Sequence, residues 1–203
     1  MTYVPASKGV WLARLHRKTA KTWNFPPNPE EVLRACTEAE RILEQVAVKS
    51  ETEWQQEWIQ TQIEQLHPFF MGARTQEMTR VIEKARPFIE QYGTAAQRAV
   101  FFDYVAFKEA MENHYMVSEE TLSQCRAAVQ ASLESGLLDL MGTVRFGFGA
   151  CLIWYGDLDH AEEQLHIAMT LAEQIGDIEL RARCLAFLPF VPRYRGEVEE
   201  VRR

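Results

Sequence analysis

The sequence predicts an all-α solenoid of four helix pairs followed by an incomplete fifth. Three observations carry this expectation. Helix-ending residues are frequent and well spaced. No segment alternates apolar and polar side chains between turn signals as a half-buried strand would, and no Asn-Gly or Asp-Gly hairpin occurs. Small residues also recur in register at intervals of 40 to 46 residues.

The helices follow in order from their ends. A first spans about 7–23. Asn28, Pro29 and Glu31 then supply a capping side chain, a proline suited to the first helical position and a capping-box acid, which opens a helix over 28–48. Ser50 with Glu53 repeats the capping box before the apolar run from Trp54, giving 51–71. Further helices are expected over 74–92, 94–115, 118–135, 138–155, 158–175 and 178–194, with the start of another at 197. Gly93, Gly136 and Gly176 each follow a helical stretch, where a left-handed cap suits glycine. Thr94, Ser118 and Asp177 stand ready to cap the next helices, and Glu119 and Glu120 complement a helix N-terminus. Pro68 and Pro87 are expected to bend their helices, and Pro189 with Pro192 to kink or shorten the ninth.

The repeat is read from the second helix of each pair. Val32, Met78, Thr121 and Ala161 form one column, and Cys36, Ile82, Cys125 and Leu165 the next. Ala39, Ala85, Ala128 and Ala168 follow, then Ile42, Phe88, Ala131 and Leu171. Steps of four, three and three make one stripe on a helix. Alanine at one point of every stripe implies a close helix crossing built repeatedly along the chain.

The stretch from Gly149 through Ala161, Leu165 and Ala168 resembles the tetratricopeptide (TPR) consensus of Gly, Ala, an apolar residue and Ala. The segments VIEKARPFIEQYGTAAQRAVFF, VSEETLSQCRAAVQASLESG and YGDLDHAEEQLHIAMTLAEQIGD further resemble the helical-repeat region of bacterial MalT-like and LuxR-type regulators and of cyclase-linked ATPases. The resemblance implies a right-handed α-α superhelix over 1–203, with pairs at about 7–48, 51–92, 94–135 and 138–175 and a partial pair at 178–203. It implies a non-catalytic interaction or sensor scaffold in the cytoplasm, taking a protein or peptide in a concave groove lined by first helices. Projected onto this chain, the groove residues are Gln60, His67, Asp103, Thr143, Phe146 and Ala150. The ATPase domain that precedes the repeats in such regulators has no counterpart here, since no phosphate-binding G-x-x-x-x-G-K-[ST] motif occurs. Gly196 matches Gly156, so the last pair lacks its final core columns, as if cut from a longer array. Cys184, Phe187, Leu188, Phe190 and Val191 would then lack a partner helix, and a homodimer is expected to cover them.

Charge and composition exclude other classes. At 47% hydrophobic residues the chain is a folded protein, and no apolar run reaches membrane-spanning length. The net charge of −7 argues against nucleic-acid binding by the whole chain. One asymmetry leaves an alternative, a nucleic-acid accessory module. No acidic residue precedes Glu30, whereas Lys8, Arg14, Arg17, Lys18 and Lys21 are basic. Arg14, Arg17, Lys18 and Lys21 share one helical face and Trp11 and Leu15 another, so the basic face is either solvated or a docking surface for an acidic partner or adjoining domain.

No catalytic constellation or cofactor motif emerges. His160 and His166 lie off each other's helical face, which suits a surface pair better than a zinc site. Cys36, Cys125, Cys151 and Cys184 are far apart and read as buried structural thiols. Gly147 and Gly149 are expected to allow close helix approach, and Trp11, Trp23, Trp54, Trp58, Trp154 and Tyr155 to be mostly core.

Overall fold

A computed structural model describes residues 6–22, 28–46, 49 and 51–197. Among these residues there are ten α-helices and no strand, so the all-α expectation holds. The helices are α1 (Ala6–Thr22), α2 (Pro29–Glu44), α3 (Thr52–Met71), α4 (Thr75–Tyr92), α5 (Ala95–Glu112), α6 (Glu119–Ser135), α7 (Leu138–Tyr155), α8 (Leu158–Ile175), α9 (Ile178–Phe187) and α10 (Phe190–Arg195). The chain divides into two compact units, Met1–Gln97 and Arg98–Arg203.

Local chemistry accounts for most helix ends. The Asn28 side chain accepts from the Glu31 amide, Ser118 from Thr121, Asp157 from His160 and Asp177 from Leu180. Thr94 and Gln97 form a reciprocal capping box: the Gln97 amide donates to Thr94 Oγ1 at 3.2 Å, and the Thr94 amide to Gln97 Oε1 at 3.1 Å. Gly136, Gly156, Gly176 and Gly196 all close their helices in the left-handed region. Gly93 does not. Its φ is −64° and its ψ 137°, and a Cβ there would sit 2.5 Å from the Ile89 carbonyl oxygen. Glycine is needed there for close approach, because the chain passes directly from α4 into the Thr94 cap. Ser50 lies outside the described residues, and α3 starts from Glu51 without a side-chain cap. The fifth helix ends at Glu112, earlier than its periodicity suggests, because His114 and Tyr115 adopt positive φ.

In the first unit, α1 packs on α2, α2 on α3 and α3 on α4, and α1 also reaches α3. The buried apolar residues are Val10 and Ala13 of α1, Cys36, Ala39 and Leu43 of α2, Trp54, Trp58, Ile59, Ile63 and Leu66 of α3, and Met78, Ile82 and Ala85 of α4, among others. The Trp54 indole donates to the Leu43 carbonyl at 2.9 Å, an acceptor at the end of α2 that the Val46 amide also reaches. Of the aromatic residues assigned to the core, Trp54 and Trp58 are buried and Trp154 is half-buried. Trp11 (60% exposed) and Tyr155 are exposed instead, and Trp23 lies outside the described residues.

In the second unit, α6 packs on α7, α7 on α8 and α8 on α9, and α7 also reaches α9. A Cβ on Gly149 would meet Leu165 and the Ala161 carbonyl, while one on Gly142 would meet Leu171 and the Ala168 carbonyl. Rising numbers in α8 thus face falling numbers in α7, which makes the pair antiparallel. The four alanines of the repeat column, Ala39, Ala85, Ala128 and Ala168, are 0–1% exposed. Across the four columns, Phe88 alone is only half-buried.

The C-terminal apolar residues are covered differently from the sequence expectation. Cys184 and Val191 are fully buried, and Phe187, Leu188 and Phe190 pack partly buried against the same core. The ninth helix stops at Phe187, two residues before Pro189, and α10 packs against α8. Arg195 fixes it there through Asp159 at 2.5 Å and Glu162 at 2.8 Å. Phe187 lies edge-on to Phe146 and to Phe190, so these rings find partners within the chain.

Candidate functional site

The first unit carries a polar cleft of about 460 Å³. Arg14 and Arg17 of α1 line it together with Glu53, Gln56, Glu57 and Gln60 of α3, and Gln97 closes one side. The two arginines belong to the stripe Val10, Ala13, Arg14, Arg17, whose spacing of three, four and seven residues makes one helical face. Val10 and Ala13 are buried, and the stripe carries the arginines inward with them. Of the basic residues on this helix, Arg14 and Arg17 are therefore turned toward α3, while Lys18, Trp11 and Leu15 (48%) are exposed.

Glu57, 4% exposed, receives both arginines. Arg14 Nε lies 2.9 Å from Glu57 Oε2, and Arg17 Nε 2.5 Å from Glu57 Oε1. Arg17, 8% exposed, extends Nη1 to Glu64 Oε1 at 2.7 Å. Burial by itself would lower the pKa of Arg17, but its bonds to Glu57 and the charge of Glu64 more than offset this, so the guanidinium stays charged. Gln97 Nε2 donates to the Gln56 carbonyl at 2.9 Å and to Gln60 Oε1 at 3.3 Å, and Gln60 Nε2 donates to Glu64 Oε1 at 3.2 Å. The cleft is thus lined by amide and charged side chains that hold one another in place.

The remaining sequence-derived groove residues fall as follows. Gln60 lines the cleft, and His67 is exposed near the end of α3. In the second unit, Thr143 is half-buried and bonds its own helix at the Asp139 carbonyl. Phe146 and Ala150 are buried, Ala150 without any accessible surface. The Arg183 guanidinium lies over the Phe146 ring at 5.1 Å, and its Nε is buried with no hydrogen-bond partner among the described residues. Asp103 points its carboxylate at Gly147, where a Cβ would come within 2.5 Å of Oδ1. Asp103 and Phe146 are thus brought together around Arg183, which the sequence reading omitted. It also omitted Gln56 and Gln97 and turned Arg14 and Arg17 outward. The stripe they share with Val10 and Ala13 is the signal that would have found the arginines.

Asp103 is half-buried as a residue, yet desolvation pushes its carboxyl up from 3.8 to about 8, with the charge of Arg183 only partly opposing this. A folded-state pKa above the unfolded value means that folding takes up a proton at intermediate pH, so stability falls as pH rises from about 4 through about 8. The slope from this one group is at most about 1.4 kcal/mol per pH unit. Asp103→Asn is expected to remove this component, so that its stability relative to the native chain improves steadily between pH 5 and 8. Urea denaturation across that range measures the difference, and a pH-independent offset would refute the assignment.

The thiols offer no nucleophile. All four cysteines are free and buried; desolvation followed by the Glu64 charge pushes Cys36 up to about 12, and the Cys125 hydrogen bond followed by burial raises Cys151. His160 is exposed, with Nδ1 held by Asp157 at 2.8 Å. Among the described residues no group of three or more His, Cys, Asp or Glu side chains is placed to hold a metal ion, and no helix is long and apolar enough to cross a membrane. No protein-family model matches the chain, and no curated protein matches it either.

Proposed function

We propose that this chain is a non-catalytic interaction scaffold, a TPR-like right-handed superhelix that serves as a sensor or partner-holding arm of a bacterial signalling or transcription-regulating ATPase. The observation that carries the reading is the recurrence of one buried alanine in α2, α4, α6 and α8, each within an equivalent apolar stripe. Repeats of this kind present one long surface of first helices, which suits holding a partner. The polar cleft on α1 and α3 lies on such first helices and offers hydrogen-bonding groups already in position.

The alternative through a basic first helix draws less from the arginines, because Arg17 is buried against Glu57 and Glu64 and Arg14 pairs with Glu57; the cations left exposed among that helix's described residues are Lys8 and Lys18. A peptide-display selection against the immobilised chain tests the scaffold reading. Enrichment of one sequence class that competes for a common surface supports it, whereas no enrichment above an unrelated helical control overturns it. The encoding reading frame tests the ATPase assignment: an ATPase or cyclase domain joined upstream supports it, and a frame joined to neither removes it.

A further inference from the structure

The arginines that line the cleft of the first unit are already neutralised. Arg14 and Arg17 pair with Glu57 in the lining, and Arg17 pairs also with Glu64 beside it. What remains is Glu53, exposed on the rim and without an ion pair among the described residues. Its place in the first turn of α3 suits the helix dipole. The dipole does not explain the open amides beside it. The Gln56 side chain makes no hydrogen bond among the described residues, and Gln60 commits only one of its two amide hydrogens, to Glu64. Arg14 commits Nε to Glu57 and leaves its Nη groups unbonded among the described residues.

Two periodicities then coincide. Gln56 and Gln60 stand four residues apart on α3, about 6 Å along its axis. An extended chain presents equivalent backbone groups every second residue, about 6.6 Å apart. A side-chain amide carries both a donor and an acceptor, the complement of one residue's C=O and N–H. A cleft of about 460 Å³ lined by arginine, glutamate and glutamine side chains suits backbone and charge in place of a lipid or aromatic ligand.

We infer that the cleft binds an extended peptide segment whose backbone runs along Gln56 and Gln60 and whose lysine or arginine side chain pairs with Glu53. The Arg14 Nη groups take a backbone carbonyl of the same segment. This inference rests on the scaffold reading and assigns one ligand class to one surface of it.

The test is an NMR titration of the full chain with a blocked alanine peptide carrying one central lysine, compared with the same peptide carrying norleucine. The lysine peptide is expected to shift the side-chain amide signals of Gln56 and Gln60. The norleucine peptide, and the lysine peptide on Glu53→Gln, are expected to bind about tenfold more weakly, the loss of one charge-assisted contact. Gln56→Ala, which alters no internal bond of its side chain, should weaken both peptides alike. Equal affinity of native and Glu53→Gln chains for the lysine peptide would overturn the inference, as would the absence of any shift at the two glutamines. Shifts confined to residues after Gln97 would overturn this assignment while leaving the scaffold reading intact.

Discussion

Arg17→Met is expected to destabilise the first unit by about 3–5 kcal/mol, the range for removing one partner of a buried ion pair. The substitution preserves much of the apolar stem but leaves Glu57 and Glu64, whose side chains are 4% and 13% exposed, without the cation they share. Arg14 still reaches Glu57 through one bond and the neutral Gln60 amide still donates to Glu64, but the guanidinium that bridged the two carboxylates is gone. The cost therefore comes mainly from two desolvated carboxylates and only secondarily from the lost bonds. Chemical denaturation followed by tryptophan fluorescence measures it, since Trp54 and Trp58 lie in the same core. Combining Arg17→Met with Glu57→Gln and Glu64→Gln should recover most of the loss, because no buried charge is then left unpaired. A single-variant loss below about 1 kcal/mol, the level of an exposed pair, would show that this network is solvated.

Gly149→Val is expected to cost the second unit about 3 kcal/mol, at the upper end of the range for overpacking a filled interior. Helix propensity works the other way, since replacing glycine within a helix gains a few tenths of a kcal/mol up to about 1 kcal/mol. The geometry decides against it. A Cβ alone would lie 2.8 Å from Leu165 Cγ and 3.3 Å from the Ala161 carbonyl oxygen, and valine adds two further methyl groups. Leu165 Cγ is a branch point inside the core and the Ala161 carbonyl is backbone, so neither can swing aside. Gly147→Ala is the contrasting case, because its nearest neighbours would be two side-chain ends, the Asp103 carboxylate at 2.5 Å and the edge of the Phe107 ring at 3.0 Å, and no backbone atom. Thermal unfolding of both variants should show a large drop for Gly149→Val and a small one for Gly147→Ala. Equal effects would mean that the α7–α8 crossing is looser than these distances imply.

Helix boundaries were the most legible part of the chain because they depend on neighbours in sequence. Asn28, Thr94, Ser118 and Asp177 bond amides three residues away, and Gly136, Gly156, Gly176 and Gly196 take a backbone conformation that other residues adopt only under strain. Gly93 was misread for a related reason. A left-handed cap and a tight carbonyl contact both require the absence of a Cβ, and the sequence alone does not separate them. The site was less legible. Gln60 was placed from its position in a first helix, whereas its neighbours Gln56 and Gln97 carry no local signature.

Amino-acid order by itself determined where most helices start and stop and which small residues recur in register at buried positions, since capping and periodicity act over a few residues. Only tertiary structure decided which face of α1 turned inward. Arginine is ordinarily an exposed residue, and Arg17 is buried here because Glu57 and Glu64 of α3 meet it there. The same holds for α3, where Gln55, Thr61, Gln62 and Gln65 are buried among tryptophans and isoleucines. Thr61 and Gln65 bond carbonyls of their own helix, and Gln62 reaches Glu40 of α2. Polar burial is tolerable only when partners far away in the chain arrive to satisfy it, and a linear pattern does not record their arrival.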